Sequence, residues 1–409
     1  MGIFLVGMRN RLSMHLNKNH PDVIIVGAGI TGCATALSLA EAGAKVEVIE
    51  RYHSGAMASG WTLAGVRQSG RDPAEMQLAK AAVKIWETLD SHLDTMTGYR
   101  QSGNLRLART DNETQVIRDM VRFQALGGLP IELLDNQQAR AIAPALSKEF
   151  LLASWCPTDG HADPSQSVKG FQKAAERLGV KFQSKTTVTG IGTNVANGCR
   201  QFNAIETASG PIAAGTAMLA TGVQTNQLLE DLGVYIPMTT PLVSAFQTVP
   251  LTTSLGPVIG VANGDLAVRQ QIDGRLRFTG GAEQLNANLD LSEEYPAVYP
   301  PATSISRVIS LVSSVLPFVS QTPICRIWGG LLDLTPDALP VLDSVPSIDG
   351  LYIAAGFSGH GFGIAPAVGE AMANKILGKE SIISLDAFSF GRFNHYSESS
   401  QNSTPALYG

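Results

Sequence analysis

The chain has 409 residues, 44% of them hydrophobic and 16% charged, and its formal net charge is −5 at pH 7. The length predicts two domains, or about three by the usual domain size. The acidic balance argues against a nucleic-acid partner, which would need a basic face on the protein. No apolar run approaches the roughly 20 residues that a membrane span requires.

Cysteine usage and the first residues set further limits. The four cysteines are scattered along the chain, at Cys33, Cys156, Cys199 and Cys325. We therefore expect reduced thiols in a cytoplasmic protein, with no metal or iron–sulfur site built by this chain. Residues 1–20 are basic, and their apolar stretch is too short for a signal peptide, so we expect a loosely attached N-terminal extension.

Residues 22–50, DVIIVGAGITGCATALSLAEAGAKVEVIE, are the most informative segment. An apolar run predicts a buried strand, which leads into Gly27, Gly29 and Gly32 in the spacing G-x-G-x-x-G. A helix of small residues follows, and then a second strand that ends in Glu50. Strand, glycine turn, helix, strand and terminal acid in this order predict a dinucleotide-binding βαβ unit.

Each part of this unit has a physical role. Gly27 permits the tight turn, Gly29 lets the backbone approach a pyrophosphate, and Gly32 lets the helix lie close to the strand. The helix N-terminus offers N–H groups and a positive dipole end to the phosphates. The Glu50 carboxylate can accept hydrogen bonds from ribose hydroxyls and would repel a 2′-phosphate, which favours FAD or NAD over NADP. The segment alone does not separate FAD from NAD.

Periodicity and turn residues predict the remaining elements. In chain order they are helices at 73–97, 112–126, 135–145 and 302–316, strands at 103–109, 131–134, 181–194 and 217–219, and a strand, glycine loop and helix at 350–378. Asp163 or Ser165 is the expected N-cap of a further helix. Asp273 and Gly274 are the expected turn of a hairpin in a β-rich stretch. Residues 51–71 show no period, and such irregular segments are usually functional.

These elements indicate a discontinuous dinucleotide-binding domain into which a β-rich domain is inserted twice. The expected bounds are 21–105, 150–235 and 325–385 for the first domain, 106–149 and 236–324 for the second, and 386–409 for a C-terminal tail.

Five motifs in order carry a family resemblance. They are G-A-G-I-T-G with Glu50, S-G-A-M-A-S-G-W-T-L-A-G at 54–65, L-A-T-G at 219–222, R-I-W-G-G-L-L-D-L-T-P-D-A-L-P-V-L-D at 326–343, and A-G-F-S-G-H-G-F-G-I-A-P at 355–366. With them the chain resembles the D-amino-acid-oxidase-like family of FAD-dependent amine and amino-acid oxidoreductases, which includes glycine and sarcosine oxidases. The segment 54–65 resembles that family's flavin-contacting loop and is called the flavin loop below.

The resemblance implies an α/β fold with a Rossmann-like FAD-binding domain of the glutathione-reductase type and an inserted antiparallel-sheet α+β substrate domain. It also implies which residues contact FAD. They are Gly27, Gly29, Ile30, Thr31, Gly32, Glu50, Arg51, Ser59, Gly60, Trp61, Ala64, Gly65, Val188, Thr221, Gly222, Gly329, Gly356, Ser358, Gly359, His360, Gly361, Phe362, Gly363 and Ile364.

The last of the five motifs can also be interpreted from its residues. Its glycines carry no side chains, so the backbone can press against a flat ring. A helix expected to open at Ile364 would direct its positive dipole end to the flavin pyrimidine edge, where negative charge grows on reduction. His360 could hydrogen-bond the flavin or the phosphates, or it could be a spacer held by packing. No general base is identified, and His360 is the only catalytic candidate.

Within the family, residues 50–67 and 156–164 look closest to the FAD-containing β subunit of bacterial opine (octopine or nopaline) oxidoreductases. That resemblance implies a hetero-oligomer with a larger FAD- or nucleotide-binding subunit and a small iron–sulfur subunit. Some monomeric relatives link flavin through a cysteine before the T-P-D signature. Alignment on Asp337 puts Gly330 at that position and leaves Cys325 displaced, so we expect non-covalent FAD.

The implied reaction is oxidation of a secondary amine flanked by carboxylates, such as an opine, to arginine and a 2-oxo acid. Arg67 and Arg269 are candidates for the carboxylates, because the guanidinium fork binds two oxygens at once. Glu283 is a candidate for the guanidinium end of an opine. The alternatives are a D-hydroxyproline or other D-amino-acid dehydrogenase, a stand-alone glycine- or sarcosine-type oxidase, an NAD-dependent dehydrogenase, and a non-catalytic FAD-binding scaffold.

Overall fold

The computed structural model describes residues 20–285 and 297–394. The expectations for the N-terminal extension and for most of the C-terminal tail lie outside these residues. Within the described ranges, the helices are all too short or too polar to cross a lipid bilayer.

The helices of the described residues are given first. They are α1 (Ile30–Glu41), α2 (Ala58–Trp61), α3 (Met76–Leu93), α4 (Asp111–Leu126), α5 (Asn136–Ile142), α6 (Pro164–Arg177), α7 (Thr225–Leu229), α8 (Ala302–Val315) and α9 (Gly361–Ile376). The strands are β1 (Val23–Val26), β2 (Val46–Ile49), β3 (Gly65–Val66), β4 (Asn104–Ala108), β5 (Glu132–Leu134), β6 (Leu152–Cys156), β7 (Gly160–His161), β8 (Lys181–Gln183), β9 (Val188–Ala196), β10 (Cys199–Thr207), β11 (Ile212–Ala213), β12 (Thr216–Leu219), β13 (Leu242–Pro250), β14 (Val258–Val261), β15 (Leu266–Gln270), β16 (Arg275–Glu283), β17 (Ile324–Leu331), β18 (Val341–Ser344), β19 (Ile348–Asp349) and β20 (Leu351–Ala355).

The first layer of the molecule is a six-stranded sheet in the order β18-β20-β12-β1-β2-β8. Its strands are parallel except for the edge strand β18. The central strand β1 is apolar and buried throughout, as expected for a strand covered on both faces. Helices α1 and α9 pack together on one face of this sheet, and α3 and α6 extend that layer. This arrangement confirms the Rossmann-like half of the predicted fold.

The second sheet has eight strands in the order β17-β13-β16-β15-β14-β4-β6-β5. Its pairings are antiparallel except for β14 with β4. Phe246 and Phe278 stack at 4.9 Å between ring centroids and pack with Val308 and Val312 of α8 on one face. A Cβ on Gly280 would lie 2.4 Å from Val308 Cγ2, so glycine is what lets α8 approach the sheet. The predicted antiparallel-sheet domain with a long helix is therefore present.

Sheet membership shifts the expected domain bounds by several residues. Strands β4, β6 and β17 belong to the eight-stranded sheet, although parts of all three fall in segments that we assigned to the dinucleotide-binding domain. A division after residue 156 and after residue 331 follows the sheets better than one at 150 and 325. The division into domains stays a proposal.

Most local predictions agree with the structure. Asp163 is the N-cap of α6 and accepts from the Gln166 N–H, and the turn at Asp273 and Gly274 connects β15 to β16. The expected start of the last helix at Ile364 is wrong, because α9 begins at Gly361. The chain turns earlier, through Gly359 at φ +85°, and leaves the following glycines free to be helical.

Candidate active site

A cavity of about 560 Å³ lies between the two sheets. The ends of β1 and β2 and the turn after β12 line it on one side, where an open α/β sheet binds its ligands. Residues of β13, β15 and β16 line it on the other side. The flavin loop and the glycine-rich segment before α9 close it in between.

One end of the cavity is built around Glu50, at the end of β2. Its carboxylate accepts hydrogen bonds from the backbone N–H groups of Ala28 at 2.8 Å and Tyr52 at 2.7 Å. Burial raises the pKa of this carboxyl group, and the two backbone donors oppose that rise. At the start of α1, the Ser59 hydroxyl accepts from the Ile30 N–H at 2.9 Å. An acid held in place beside a glycine-lined helix N-terminus fits the adenosine and pyrophosphate part of FAD.

The three glycines of the fingerprint divide into two roles. A Cβ on Gly27, which has φ +103°, would lie 2.4 Å from the Ala220 carbonyl oxygen, and a Cβ on Gly32 would lie 2.0 Å from the Gly27 carbonyl oxygen. These two glycines are therefore required for backbone packing. Gly29 lines the cavity, and a Cβ there would meet only the Ser59 hydroxyl, at 3.1 Å. Its bare backbone is the surface that a phosphate could approach.

The flavin loop is held from behind by residues 156–164. Gly65 pairs with His161, and the Ala162 N–H donates to the Ala64 carbonyl at 3.0 Å. Just beyond the loop, buried Asp159 accepts from the Gln68 N–H at 2.7 Å. The motif C-P-T-D-G-H-A-D-P thus fixes the loop in place from outside the cavity.

The glycine-rich segment before α9 meets the flavin loop from the opposite side. A Cβ on Gly363 would lie 2.6 Å from the Gly65 carbonyl oxygen, so glycine permits the close approach. The Gly356 N–H donates to the Asp333 carboxylate at 2.7 Å. Burial raises the pKa of Asp333 to about 6 despite this donor. The α9 N-terminus has no side-chain cap, and Gly361 there lines the cavity, which fits an acceptor with growing negative charge.

A buried cluster of charged residues lies beside this segment. Arg67, Arg71 and Arg106 supply three guanidinium groups, and Glu75 and Asp159 supply two carboxylates; all are buried except Arg67, which is half-buried. Arg71 pairs with Glu75 at 3.3 Å. Burial lowers the pKa of Arg67, and the charges of Arg71 and Arg106 lower it further. Of the three arginines, Arg67 and Arg71 line the cavity.

His360 lies where this cluster meets the cavity. Its ring is buried, and neither ring nitrogen has a hydrogen-bond partner among the described residues. Glu75 is the nearest acid, with its Oε2 3.7 Å from Nδ1. Burial and the neighbouring charges of Arg71 and Arg67 lower the pKa of His360 well below its ordinary value. The ring is therefore neutral and can still donate and accept a hydrogen bond.

The cavity brings together most of the residues predicted to contact FAD. Those that line it are Gly27, Gly29, Ile30, Thr31, Glu50, Arg51, Ser59, Trp61, Gly65, Val188, Thr221, Gly222, Ser358, Gly359, His360, Gly361 and Phe362. The others do not line it and are Gly32, Gly60, Ala64, Gly329, Gly356, Gly363 and Ile364. Gly330, at the position of the flavin-linking cysteine of some relatives, also lines the cavity, whereas Cys325 is exposed on β17.

Of the three residues predicted to bind substrate, only Arg67 lines the cavity. Arg269 is fully buried behind the flavin loop, where its Nε donates to the Leu63 carbonyl. Glu283 turns toward α8, where it pairs with Arg307 at 2.5 Å. The structure therefore does not bring Arg269 or Glu283 to the cavity.

Sequence analysis missed several charged residues in and beside the cavity, although signals existed for most of them. Arg71 follows Arg67 by one helical turn in the same irregular segment. Asp159 and Asp333 stand inside two of the motifs that we quoted. Arg106 is the exception, because it alternates with Leu105 and Leu107 as a solvent-facing residue would, and nothing in this pattern indicates its burial.

Most of the chain is similar to known proteins. Residues 22–375 match the family model described as FAD dependent oxidoreductase (DAO). Sarcosine oxidase subunit beta of Rhizobium meliloti is 27% identical over 401 residues, which cover 96% of this chain and 93% of that protein. Glycine oxidase of Bacillus licheniformis is 26% identical over 368 residues, which cover 87% of this chain and 93% of that protein.

Solved structures agree in fold. The crystal structure of L-proline dehydrogenase from P. horikoshii superposes with a TM-score of 0.83 at 28% identity, covering 92% of this chain and 98% of that chain. Glycine oxidase from Geobacillus kaustophilus also gives a TM-score of 0.83, at 22% identity, covering 91% of this chain and 99% of that chain. The predicted fold and the expectation of FAD as cofactor are confirmed, and the NAD-dependent alternative is wrong.

Proposed function

The chain belongs to the DAO family of FAD-dependent oxidoreductases, and we propose that it oxidises the CH–NH bond of an amine that carries a carboxylate. The observation that carries this proposal is Arg67, a half-buried arginine that lines the cavity beside the glycine-rich segment before α9.

Electrostatics supports carboxylate binding at this position. Burial lowers the pKa of Arg67, and the nearby charges of Arg71 and Arg106 lower it further, so the positive charge of Arg67 is unfavourable in the protein without substrate. Arg67 Nη1 donates to the Ser69 carbonyl at 2.5 Å and to the Gly70 carbonyl at 3.2 Å, which holds the guanidinium group in place. A substrate carboxylate would stabilise this charge, because guanidinium groups form strong charge-assisted hydrogen bonds with carboxylates.

FAD supplies the hydride acceptor when it is bound, and the protein supplies position and electrostatics. Arg67 would hold the carboxylate, which fixes where the neighbouring Cα–H lies. His360 presents a neutral ring to the cavity and can accept a hydrogen bond from the substrate amine. The flavin loop and the segment before α9 keep bulk water away from the reacting atoms.

The cavity wall formed by the eight-stranded sheet leaves room for a substrate larger than glycine. Small residues of the eight-stranded sheet form this wall, including Ala245, Ala267, Thr279 and Gly281. They leave space for a substituent on the amine nitrogen or on Cα. A secondary amine of an amino acid, as in sarcosine, proline or an opine, fits such a site. The opine expected from the sequence is one member of this class and stays a prediction.

We further propose that the chain works as a subunit. Several of its relatives are named as the beta subunit of sarcosine oxidase, and that name implies an assembly with other subunits. The larger nucleotide-binding subunit and the small iron–sulfur subunit expected from the sequence, and a cytoplasmic location, stay predictions. Co-purification from the native host, followed by mass spectrometry of the complex, tests the assembly.

The proposed reaction is tested by anaerobic reduction of the bound flavin, followed by absorbance. The panel is sarcosine, glycine, L-proline, D-proline, hydroxyproline, octopine and nopaline, presented to the isolated chain and to the co-purified complex. We expect at least one secondary amine of the panel to bleach the flavin. Rapid peroxide formation by the isolated chain would favour the stand-alone oxidase. Failure of every amine, even with partner subunits present, would contradict the proposal and support the scaffold alternative.

A further inference from the structure

Two buried arginines lie side by side behind the flavin loop. Arg269 on β15 and Arg277 on β16 are register partners across the antiparallel strand pair. Their exposed fractions are only 1% and 7%. Neither lines the cavity, so neither is in a position to bind the substrate.

Both side chains bind backbone carbonyl groups of the flavin loop. Arg269 Nε donates to the Leu63 carbonyl, and Arg277 Nη2 donates to the Gly60 carbonyl at 2.9 Å. The Arg277 guanidinium also lies 4.7 Å from the Trp328 ring centroid, and Trp328 Nε1 donates to the Trp61 carbonyl at 3.2 Å. Side chains of the eight-stranded sheet thus donate hydrogen bonds to three backbone carbonyl groups of the flavin loop. The other side of this loop lines the cavity.

Among the described residues, the charge of this pair is not neutralised locally, because neither guanidinium group has a carboxylate within 4.0 Å. Asp163 lies farther away than 4.0 Å, and its negative charge raises the pKa of both arginines. Burial lowers the pKa of Arg269 to about 10 and that of Arg277 to about 9, so both stay protonated at neutral pH.

Hydrogen bonding alone does not account for two charges at this position. A neutral amide side chain could donate to the same carbonyls without the cost of burying like charges together. Arg269 Nη2 and Arg277 Nε have no hydrogen-bond partner in the described part of the chain. The flavin loop alone separates these two positive charges from the cavity. Because the burial of two like charges is unfavourable, their presence at this position points to an electrostatic role.

We propose that Arg269 and Arg277 are positioning residues that hold the flavin loop and raise the reduction potential of the bound flavin. Reduction adds negative charge to the flavin ring, and a buried positive charge nearby stabilises that state more than the oxidised one. The pair acts through the loop and through its field, without contact with substrate. This role is independent of which amine the enzyme oxidises.

The test compares charge with hydrogen bonding at each position. Arg269→Gln and Arg277→Gln keep a donor and remove the charge, whereas Arg269→Lys and Arg277→Lys keep the charge. Arg275→Gln is the matched control, because Arg275 lies on the same strand, is partly exposed and pairs with Asp273. Two quantities are measured on the FAD-loaded chain without substrate: the flavin reduction potential, by dye equilibration, and the dissociation constant for sulfite, which adds to electron-poor flavin.

We expect each glutamine variant to have a more negative potential and roughly tenfold weaker sulfite binding. The lysine variants and Arg275→Gln should stay close to the parent protein. Loss of FAD from both glutamine variants, with retention in both lysine variants, would also support a need for charge. Equal potentials in the glutamine and lysine variants, or loss of FAD from all four, would overturn the proposal, because each outcome indicates a purely structural role.

Discussion

The two ends of the cavity are built in different ways. The nucleotide end comes mainly from residues 22–65, in which bare glycine backbone and Glu50 provide the binding surface, and Val188 and the turn after β12 complete its lining. The substrate end brings together side chains from distant parts of the chain, including Arg67, Arg106 and His360. Backbone geometry within a segment is visible in residue spacing, whereas a cluster assembled by tertiary packing is not.

The largest expected effect comes from a substitution at the nucleotide end of the cavity. Gly32→Ala would place a Cβ 2.0 Å from the Gly27 carbonyl oxygen, where only backbone movement can relieve the clash. We expect a loss of more than ~4 kcal/mol in the free energy of unfolding and no retained FAD. Chemical denaturation and flavin absorbance measure both. Gly215→Ala is the control, because its nearest neighbour would be 3.8 Å away. Normal stability and FAD content in Gly32→Ala would contradict the packing role.

The next effect is a pH dependence at Asp333. Burial raises its pKa from 3.8 to about 6. At pH values between these two pKa values, the folded state therefore binds more protons than the unfolded state. Stability from this group is therefore nearly complete at pH 3, below the unfolded pKa, and is lost as pH rises through 6. Relative to Asp333→Asn, the parent protein should lose about 3 kcal/mol of unfolding free energy between pH 3 and 7.

Denaturation curves of both proteins across that range measure the difference. Asp343→Asn is the control of opposite sign. Burial alone would raise the pKa of Asp343, but Lys375 at 2.8 Å and backbone donors lower it overall. Parallel curves for Asp333→Asn and the parent protein would show that the Asp333 carboxyl group is not stabilised in its protonated form.

The third prediction separates the two ends by function. Arg67→Gln should lower kcat/KM for carboxylate-bearing amines by about 100-fold, because the substrate carboxylate loses a positively charged partner. The variant should keep its FAD. Arg51→Gln, at the other end of the cavity, should change FAD affinity and leave kcat/KM of the loaded enzyme unaltered. Equal effects of the two substitutions on kcat/KM would remove the distinction between the ends.

The smallest expected effect concerns substrate size. Ala267→Leu would fill part of the small-residue wall of the eight-stranded sheet. We expect roughly tenfold lower kcat/KM for substrates with a large substituent and little change for glycine or sarcosine, since a few methylene groups in a pocket change selectivity by about that factor. The ratio of kcat/KM values for octopine and sarcosine measures it. An unchanged ratio would show that the large substituent of the substrate does not lie against Ala267.

Local signals predicted the first sheet and its cofactor well. The strand β1, the three glycines and Glu50 are all within one short segment, and their roles follow from turn geometry and hydrogen bonding. The N-cap Asp163 and the hairpin at Asp273 also depend only on neighbouring residues.

The substrate end was predicted less well for a physical reason. Arg269 was selected because a lone arginine on a strand near the site suggested carboxylate binding. Strand alternation alone does not say whether a residue faces the cavity or the back of the flavin loop, and the pairing of β15 with β16 decides it. Glu283 likewise points to α8, where Arg307 neutralises it. Only the tertiary structure determines which charges remain available to a ligand.

The most direct test of the central claim is a matched pair of amines that differ only in the carboxylate. Anaerobic flavin reduction by L- or D-proline is compared with reduction by pyrrolidine, and reduction by sarcosine with reduction by dimethylamine, in the parent protein and in Arg67→Gln. The carboxylate-bearing amine of at least one pair should reduce the flavin of the parent protein, its partner should not, and Arg67→Gln should remove most of the difference. Equal reduction by both members of each pair would contradict carboxylate recognition by Arg67.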